Sequence, residues 1–221
     1  MRVRDFMKTN VITVPSSTSI YDALKIMKEN NIKRLPIVDN GKLVGIVSRK
    51  GLKEATPSKA TTLSIYELNY LLSKMTVKDV MHKKVITVSP DTSFEQAAFI
   101  MHKYQIGGLP VLEKGKLVGY ISSNDLFDVM VKMNGLDKPV SRFTIEIDED
   151  KTDSAIADLA NLFKEKGIEI RLLSVMDLPQ YLHKKHLILR SETVENIEEL
   201  KKAIEDKGYN VISVIEKTQI V

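Results

Sequence analysis

The sequence contains no cysteine and no tryptophan, and its aromatic residues make up only 6% of 221 positions. The first absence excludes disulfides, thiolate zinc sites and a cysteine nucleophile. The second leaves no ready stacking platform for single-stranded nucleic acid. No apolar run approaches the roughly 18 residues a membrane helix needs, and the amino-terminal stretch MRVRDFMKTN lacks the apolar core of a signal peptide. A soluble, cytoplasmic protein is therefore expected, with no membrane partner. Hydrophobic residues account for 43% of the chain, enough for one large core or two modest ones and too many for a disordered protein.

Charge is unevenly placed. The net charge is +4, but residues 1–139 carry 21 basic and 13 acidic side chains while residues 140–221 carry 12 and 16. The sign changes near Pro139, which implies two modules. The basic surplus of the first suits an anionic ligand, although taken alone it is more simply read as a solvated lysine-rich surface. No helix-turn-helix or basic helix accompanies it, so a nucleic-acid partner is not expected.

An offset of 74 aligns Val3–Leu52 with Val77–Leu126 without a gap, and 22 of 50 positions are identical. This is an internal duplication. The shared segments are VITV at 11–14 and 85–88, A-x-x-I-M at 23–27 and 97–101, I-x-x-L-P at 32–36 and 106–110, and GKLVG at 41–45 and 115–119. Each copy reads as strand, helix, strand, turn, strand, helix. Thr92 and Glu95 have the spacing of a capping box, and Ala97, Ala98, Ile100 and Met101 give a helix face that packs on a sheet. Asp39-Asn40-Gly41 between apolar runs is a tight-hairpin signal. A copy of fifty residues is too small to be stable alone, so the two should pack sheet against sheet as one pseudo-symmetric unit.

Between the copies, Ala55-Thr56-Pro57-Ser58 reads as a loop and 64–72 as a helix capped by Ser64, with Ile65, Leu68 and Leu72 on one face. The boundaries that follow are 1–58 for the first repeat, 59–76 for the connector, 77–135 for the second repeat and 140–221 for the tail. In the tail, Phe143, Ile145 and Ile147 alternate as a strand. Ile156, Leu159, Ala160 and Phe163 keep helical spacing up to Gly167. Strands over 168–176 and 186–190 flank a loop at 177–181, a helix through Ile197, Leu200 and Ile204 ends at Gly208, and 211–216 forms the last strand. The order βαββαβ is that of a ferredoxin-like sandwich, so the fold class is α+β.

The chemistry-bearing segment is the end of each copy. Gly119-Tyr120-Ile121-Ser122-Ser123-Asn124-Asp125 ends a strand at Ser122 and starts a helix within three residues. A carboxylate at Asp125 accepts hydrogen bonds from vicinal hydroxyls, the task an acidic residue performs for ribose in dinucleotide folds. Ser122 and Asp125 are equally suited to capping the helix. In the first copy Gly51 replaces the carboxylate, so the two pockets should differ. No P-loop or nucleophile elbow is present. His82, His102, His183 and His186 form no catalytic or metal-ligating set, and Met27 and Met101 occupy equivalent core positions.

With D-x-M at its start, I-x-x-L-P in its middle and G-x-x-S-x-x-D at its end, the repeat resembles a pair of cystathionine-β-synthase (CBS) domains, the Bateman module. The connector and tail are similar to the acetoin-utilization family, in which a CBS pair of two βαββα repeats precedes an ACT-like domain. The resemblance implies a non-enzymatic regulator, with no required cofactor, that binds an adenosine nucleotide or S-adenosylmethionine. It implies that Thr87 and Val88 read the adenine edge, that Gly108, Leu109 and Pro110 wall the base, and that Ser122 and Asp125 hold the ribose. Lys33, Arg34, Arg49 and Lys103 are the candidate phosphate cations, and the fork of Arg34 suits phosphate best. The resemblance also implies a homodimer and a regulated enzyme as partner; the amphipathic ends of the repeats make Leu126, Phe127, Val129 and Met130 candidates for the contact, with burial within the chain as the other reading. A scaffold dimer with vestigial pockets is the alternative. The tail departs from amino-acid-binding ACT domains, because the turn Asp148–Asp153 has no glycine and holds four carboxylates that repel another. A hard cation on those acids is one reading of the turn, and a solvated loop ending in a helix cap is the other.

Overall fold

Asn40 and Gly41 take φ values of +49° and +75° in the computed structural model, which describes residues 1–55, 64–177 and 183–216. The chain divides into two units, 1–126 and 127–221. The first runs through α1 (Ile20–Glu29), β1 (Arg34–Asp39), β2 (Lys42–Ser48), α2 (Arg49–Glu54), α3 (Ile65–Lys74), α4 (Val77–Val80), α5 (Phe94–Lys103), β3 (Gly108–Glu113) and β4 (Lys116–Ser122), and α6 (Ser123–Met133) spans the division. The Asn40-Gly41 pair joins β1 to β2 as a two-residue hairpin, and Lys114 (+48°) with Gly115 (+77°) joins β3 to β4 in the same register. Paired left-handed residues match the twist of the strands they connect, and this is the reason Asn-Gly predicts the turn.

Helices α1 and α5 begin at Ser19 and Ser93, whose side chains accept the backbone N–H of Asp22 and Gln96. The cap expected at Thr92 is therefore one residue later, and the Thr92 hydroxyl instead accepts the N–H of Ser89 at 3.1 Å. Both helices bury their small-residue face, with Ala23, Met27 and Ala97 fully buried and Met101 at 5% exposure. Ser64 caps the connector helix with Glu67 in a reciprocal box. The loop at 56–58 and the side chains of Ile65, Leu68 and Leu72 lie outside the described residues.

The VITV segments differ from expectation: each is a single parallel bridge, Val14 to Ile37 and Val88 to Val111. The Val14 N–H donates to Pro36 O and the Val38 N–H to Val14 O. The ladder stops there because Pro36 has no N–H, and the Ser16 N–H turns to the Asp39 carboxylate at 2.9 Å. In the second copy Pro90 and Pro110 occupy those two places and neither can donate.

The amino-terminal segments of the two copies are exchanged. Val77 is buried in one cluster with Ile20, Met27, Leu35, Ile37 and Leu52 of the first copy, and Met81 packs against the same cluster. In return, the Val3 N–H donates to Thr92 O at 2.9 Å, Lys8 bridges to Tyr120, and the Met7 side chain lies against Gly119. Each copy thus lends the segment that closes the other's core.

The second unit comprises β5 (Val140–Asp148), α7 (Thr152–Glu165), β6 (Ile170–Asp177), β7 (Lys184–Glu192), α8 (Ile197–Asp206) and β8 (Asn210–Ile215). Its sheet has the order β6-β7-β5-β8 with every pair antiparallel, the ferredoxin-like arrangement. Phe143, Ile145 and Ile147 share a core with Ala155, Leu159, Phe163, Leu200 and Ile204, and Phe143 meets Phe163 edge to face at 5.8 Å. Ala160 is exposed, and Leu162 takes the buried place instead. The loop at 178–181 lies outside the described residues.

The acidic turn is a 3₁₀ turn, Glu149–Lys151, leading into α7 with no side-chain cap. Asp148 is held by Lys184 at 2.6 Å and Lys151 at 3.2 Å, and these bonds keep its carboxyl below the usual range. The acids of this turn are thus partly spoken for by lysines, Lys185 reaching Glu149 at 3.5 Å.

The segment exchange makes a specific prediction. Val77→Ala removes a fully buried side chain from the first copy's core, at a cost of about 2 kcal/mol. Hydrogen exchange should accelerate in α1, β1 and β2, which precede Val77 by 29 to 57 positions. Acceleration confined to α5, β3 and β4 would contradict the exchange.

Candidate functional site

Ser122 ends β4, and its N–H and hydroxyl both donate to one oxygen of Asp125, at 2.7 and 2.5 Å. The Asp125 N–H returns to the Ser122 hydroxyl at 3.4 Å. This is a reciprocal capping box. The other carboxylate oxygen lies 3.4 Å from Lys8 Nζ; the Asp125 side chain is only 12% exposed, whereas that of Lys8 is 72% exposed. The box pre-positions the carboxylate, and among the described residues the oxygen turned away from it is opposed by one exposed lysine alone. In the first copy Ser48 makes the same cap, accepting the Gly51 N–H at 2.9 Å, but no carboxylate follows.

Two clefts lie at these ends. One, of about 220 Å³, joins Ser122 and Asp125 to Asn10, Val11 and Ile12 of the first copy, with Arg34 and Tyr120. The other, of about 320 Å³, joins Ser48 to Val85 and Ile86 of the second copy, with Gly108, Pro110, His82 and Lys84. The exchange of amino-terminal segments has crossed the pairing that the sequence suggested. Gly108 and Pro110 face the pocket of Ser48, not that of Asp125. Val88 and Leu109 are buried at 7% and 0% exposure, and Thr87 lines neither cleft. The segment that accompanies Asp125 is the first copy's, residues 10–12.

Arg34 lines both clefts. Its guanidinium passes so close over Gly107 that a Cβ there would stand 2.8 Å from Nη2. The repeat counterpart of Arg34 is Gly108, over which the ring of Tyr120 lies, and Tyr120 in turn replaces Ile46 of the first copy. Burial pushes the Tyr120 phenol up to about 12, against the pull of the Arg34 charge. Paired glycines therefore make room for one arginine and one tyrosine.

Of the other candidate cations, Arg49 donates to Met27 O at 2.5 Å and Ile32 O at 3.1 Å, fastening the end of α1. Lys33 is exposed beside the Asp125 cleft, and Lys103 sits over the Tyr104 ring at 5.6 Å. His82, His102 and His183 are exposed, and among the described residues no three His, Cys, Asp or Glu side chains gather as metal ligands. On α6, Leu126 and Val129 are buried, while Phe127 and Met130 are 61% and 52% exposed. Among the described residues no helix is long and apolar enough to cross a membrane.

Sequence reasoning missed Asn10–Ile12 and Tyr120. The signal was present as complementary departures from the repeat: Lys33-Arg34 opposite Gly107-Gly108, and Ile46 opposite Tyr120.

A family model for the CBS domain matches residues 3–57 and 77–132. A CBS domain-containing protein of Dictyostelium discoideum is 33% identical over 133 residues, 59% of this chain and 92% of that protein. The inosine-5′-monophosphate dehydrogenase of Korarchaeum cryptofilum is 37% identical over 127 residues, but these are 57% of this chain and only 24% of the enzyme. Among solved structures, a protein from Vibrio cholerae assigned to acetoin utilization (AcuB) is 32% identical, with a TM-score of 0.52, over 62% of this chain and 95% of that one. The CBS domain pair of protein MJ0100, in complex with 5′-methylthioadenosine and S-adenosyl-L-methionine, is 32% identical with a TM-score of 0.50, over 60% of this chain and 97% of that one.

Gly51 does not take a left-handed φ, and a Cβ there would meet only the Ser48 hydroxyl, at 3.2 Å. Gly51→Asp should therefore build a second capping box and stabilise the fold by a few tenths of a kcal/mol, because helix interiors disfavour glycine. A thermal melt reads this directly, and a loss of 1 kcal/mol or more would mean that the site has no room for the carboxylate.

Proposed function

Because the chain belongs to the CBS-domain family, we propose that it is a non-catalytic regulator whose first unit binds an adenosine-containing ligand in the cleft closed by Asp125. The observation that carries this reading is the pre-positioned carboxylate. It is nearly buried, lines a cleft, and keeps one oxygen outside the capping box. That oxygen would take a ribose hydroxyl in place of Lys8. Asn10, Val11 and Ile12 would supply backbone groups for the base edge, and Arg34 would meet phosphate or another anionic substituent. In the second cleft Val85, Ile86, Gly108 and Pro110 would enclose a base with no ribose anchor, so that affinity there is lower.

The ligand class is supported by the complex of the MJ0100 CBS pair with 5′-methylthioadenosine and S-adenosyl-L-methionine. A regulatory role is supported by the relative of which this chain covers 92%, a CBS domain-containing protein, whereas only a quarter of the dehydrogenase is matched. Both clefts draw on both copies, so a bound ligand would favour one relative orientation of the copies in proportion to its preference for that orientation. The ferredoxin-like unit, read as ACT-like, would transmit or receive that shift. Phe127 and Met130 are the apolar surface through which two chains would associate. A role in acetoin metabolism rests on likeness to the Vibrio cholerae protein.

Titration calorimetry with S-adenosylmethionine, AMP and ATP tests the reading. One tight site per chain is expected. Asp125→Ala should weaken it on the order of 10- to 150-fold, the worth of roughly 1.5–3 kcal/mol of charge-assisted hydrogen bonding. Unchanged affinity in the variant would reduce Asp125 to a helix cap, and no binding of any of the three would favour a scaffold with vestigial pockets.

A further inference from the structure

In the carboxy-terminal sheet, the face opposite the core carries a pair of like charges with no counter-charge among the described residues. Arg142 of β5 and Arg190 of β7 are direct cross-strand partners, so their side chains emerge next to each other on one face. Nearby lysines have acids: Lys184 has Asp148 at 2.6 Å and Glu146 at 3.9 Å, and Lys185 has Asp177 at 3.4 Å and Glu149 at 3.5 Å. Among the described residues neither Arg142 nor Arg190 has a carboxylate within ion-pair distance.

Their hydrogen bonds are to neutral groups. Arg142 Nη1 donates to the Thr144 hydroxyl at 2.7 Å, and Arg190 Nη1 donates to the backbone and side-chain oxygens of Asn134. Arg190 Nε is buried and has no acceptor among the described residues. Burial first, and then the Arg142 charge, lower the proton affinity of Arg190. An arginine cannot escape such a neighbour by losing its proton, because its ordinary value lies too high. Like charges directly opposite in a sheet are destabilising, and a buried charged donor without an acceptor adds to that cost.

We propose that Arg142 and Arg190 form an oxyanion site on the face of this sheet opposite its core, and that its ligand is a phosphate group, free or as a small phosphomonoester. Two fixed positive charges match a dianion, whereas a single carboxylate would offset only one of them. Each guanidinium keeps part of its fork uncommitted after the bonds to Thr144 and Asn134, and such forks fit phosphate oxygens. The Thr144 hydroxyl, which accepts from Arg142, still has its own proton to donate. The site does not depend on the adenosine clefts and stands whether or not they are functional.

The test is hydrogen–deuterium exchange on the full chain, with inorganic phosphate or glycerol 3-phosphate against chloride at equal ionic strength. Three proteins serve: wild type, Arg142→Gln and Arg34→Gln, the last removing the cation shared by the adenosine clefts. Phosphate in one or both forms should slow exchange across 140–148 and 184–192 and raise Tm by a few degrees, and the stronger of the two ligands tells free from esterified phosphate. The response should survive Arg34→Gln and fall at least tenfold in apparent affinity in Arg142→Gln. Arg142→Lys, which keeps the charge without the fork, should fall between. No slowing in wild type, equal slowing in Arg142→Gln, or a response abolished by Arg34→Gln would each overturn the assignment.

Discussion

Neither copy of the repeat can close its own hydrophobic core, and the rest of the first unit follows from that shortage. Fifty residues arranged as a helix, a hairpin and a short second helix leave one side of the apolar layer open. Val77 and Met81 fill that side for the first copy, while Val3 and Met7 go to the second. Because each segment crosses over, the residues that continue from it, 8–12 and 82–86, arrive beside the end of the other copy's hairpin. The clefts are consequences of this crossing, and each is built from both copies.

Duplication supplies two clefts of common descent, and a handful of substitutions has made them unlike. Gly107 and Gly108 stand where the first copy has Lys33 and Arg34, and the freed volume is taken by the Arg34 guanidinium and the Tyr120 ring. A second arginine at 108 would stand close to Arg34, which already reaches the Tyr120 ring over that position, with the repulsion that like charges incur in a half-buried place. One arginine serving both clefts avoids it. The other difference is a carboxylate: Asp125 lines the first cleft, and its repeat counterpart, Gly51, offers none to the second. The first cleft therefore holds an acid among its bases, whereas the polar lining of the second is wholly basic or neutral.

Much of this was legible in the sequence because it depends on local chemistry. The repeat, the Asn-Gly hairpin, the serine cap of the connector and the βαββαβ order of the tail all rest on residues near one another in the chain. What was not legible depends on distant contacts or on competition for one donor. VITV has strand composition, but Pro36 and the Asp39 carboxylate reduce it to a bridge. Thr92 has cap spacing, but its hydroxyl is claimed by Ser89. Thr87 and Val88 share a copy with Asp125 and not a cleft, since membership of a cleft is decided by the crossover. The acidic turn at 148–153 looked repulsive in isolation, and lysines far along the chain offset it.

Assignment of the adenosine ligand to the cleft built by Asp125 with the first copy's residues 10–12 is the claim on which the functional account stands. Backbone chemical-shift mapping during titration with S-adenosylmethionine tests it most directly. The account predicts that the first and largest changes fall on Asn10, Val11, Ile12, Arg34 and Ser122–Asp125, with Thr87 and Val88 unmoved at low ligand. Changes that begin at 84–88 and Ser48 while the Asp125 segment stays silent would contradict it.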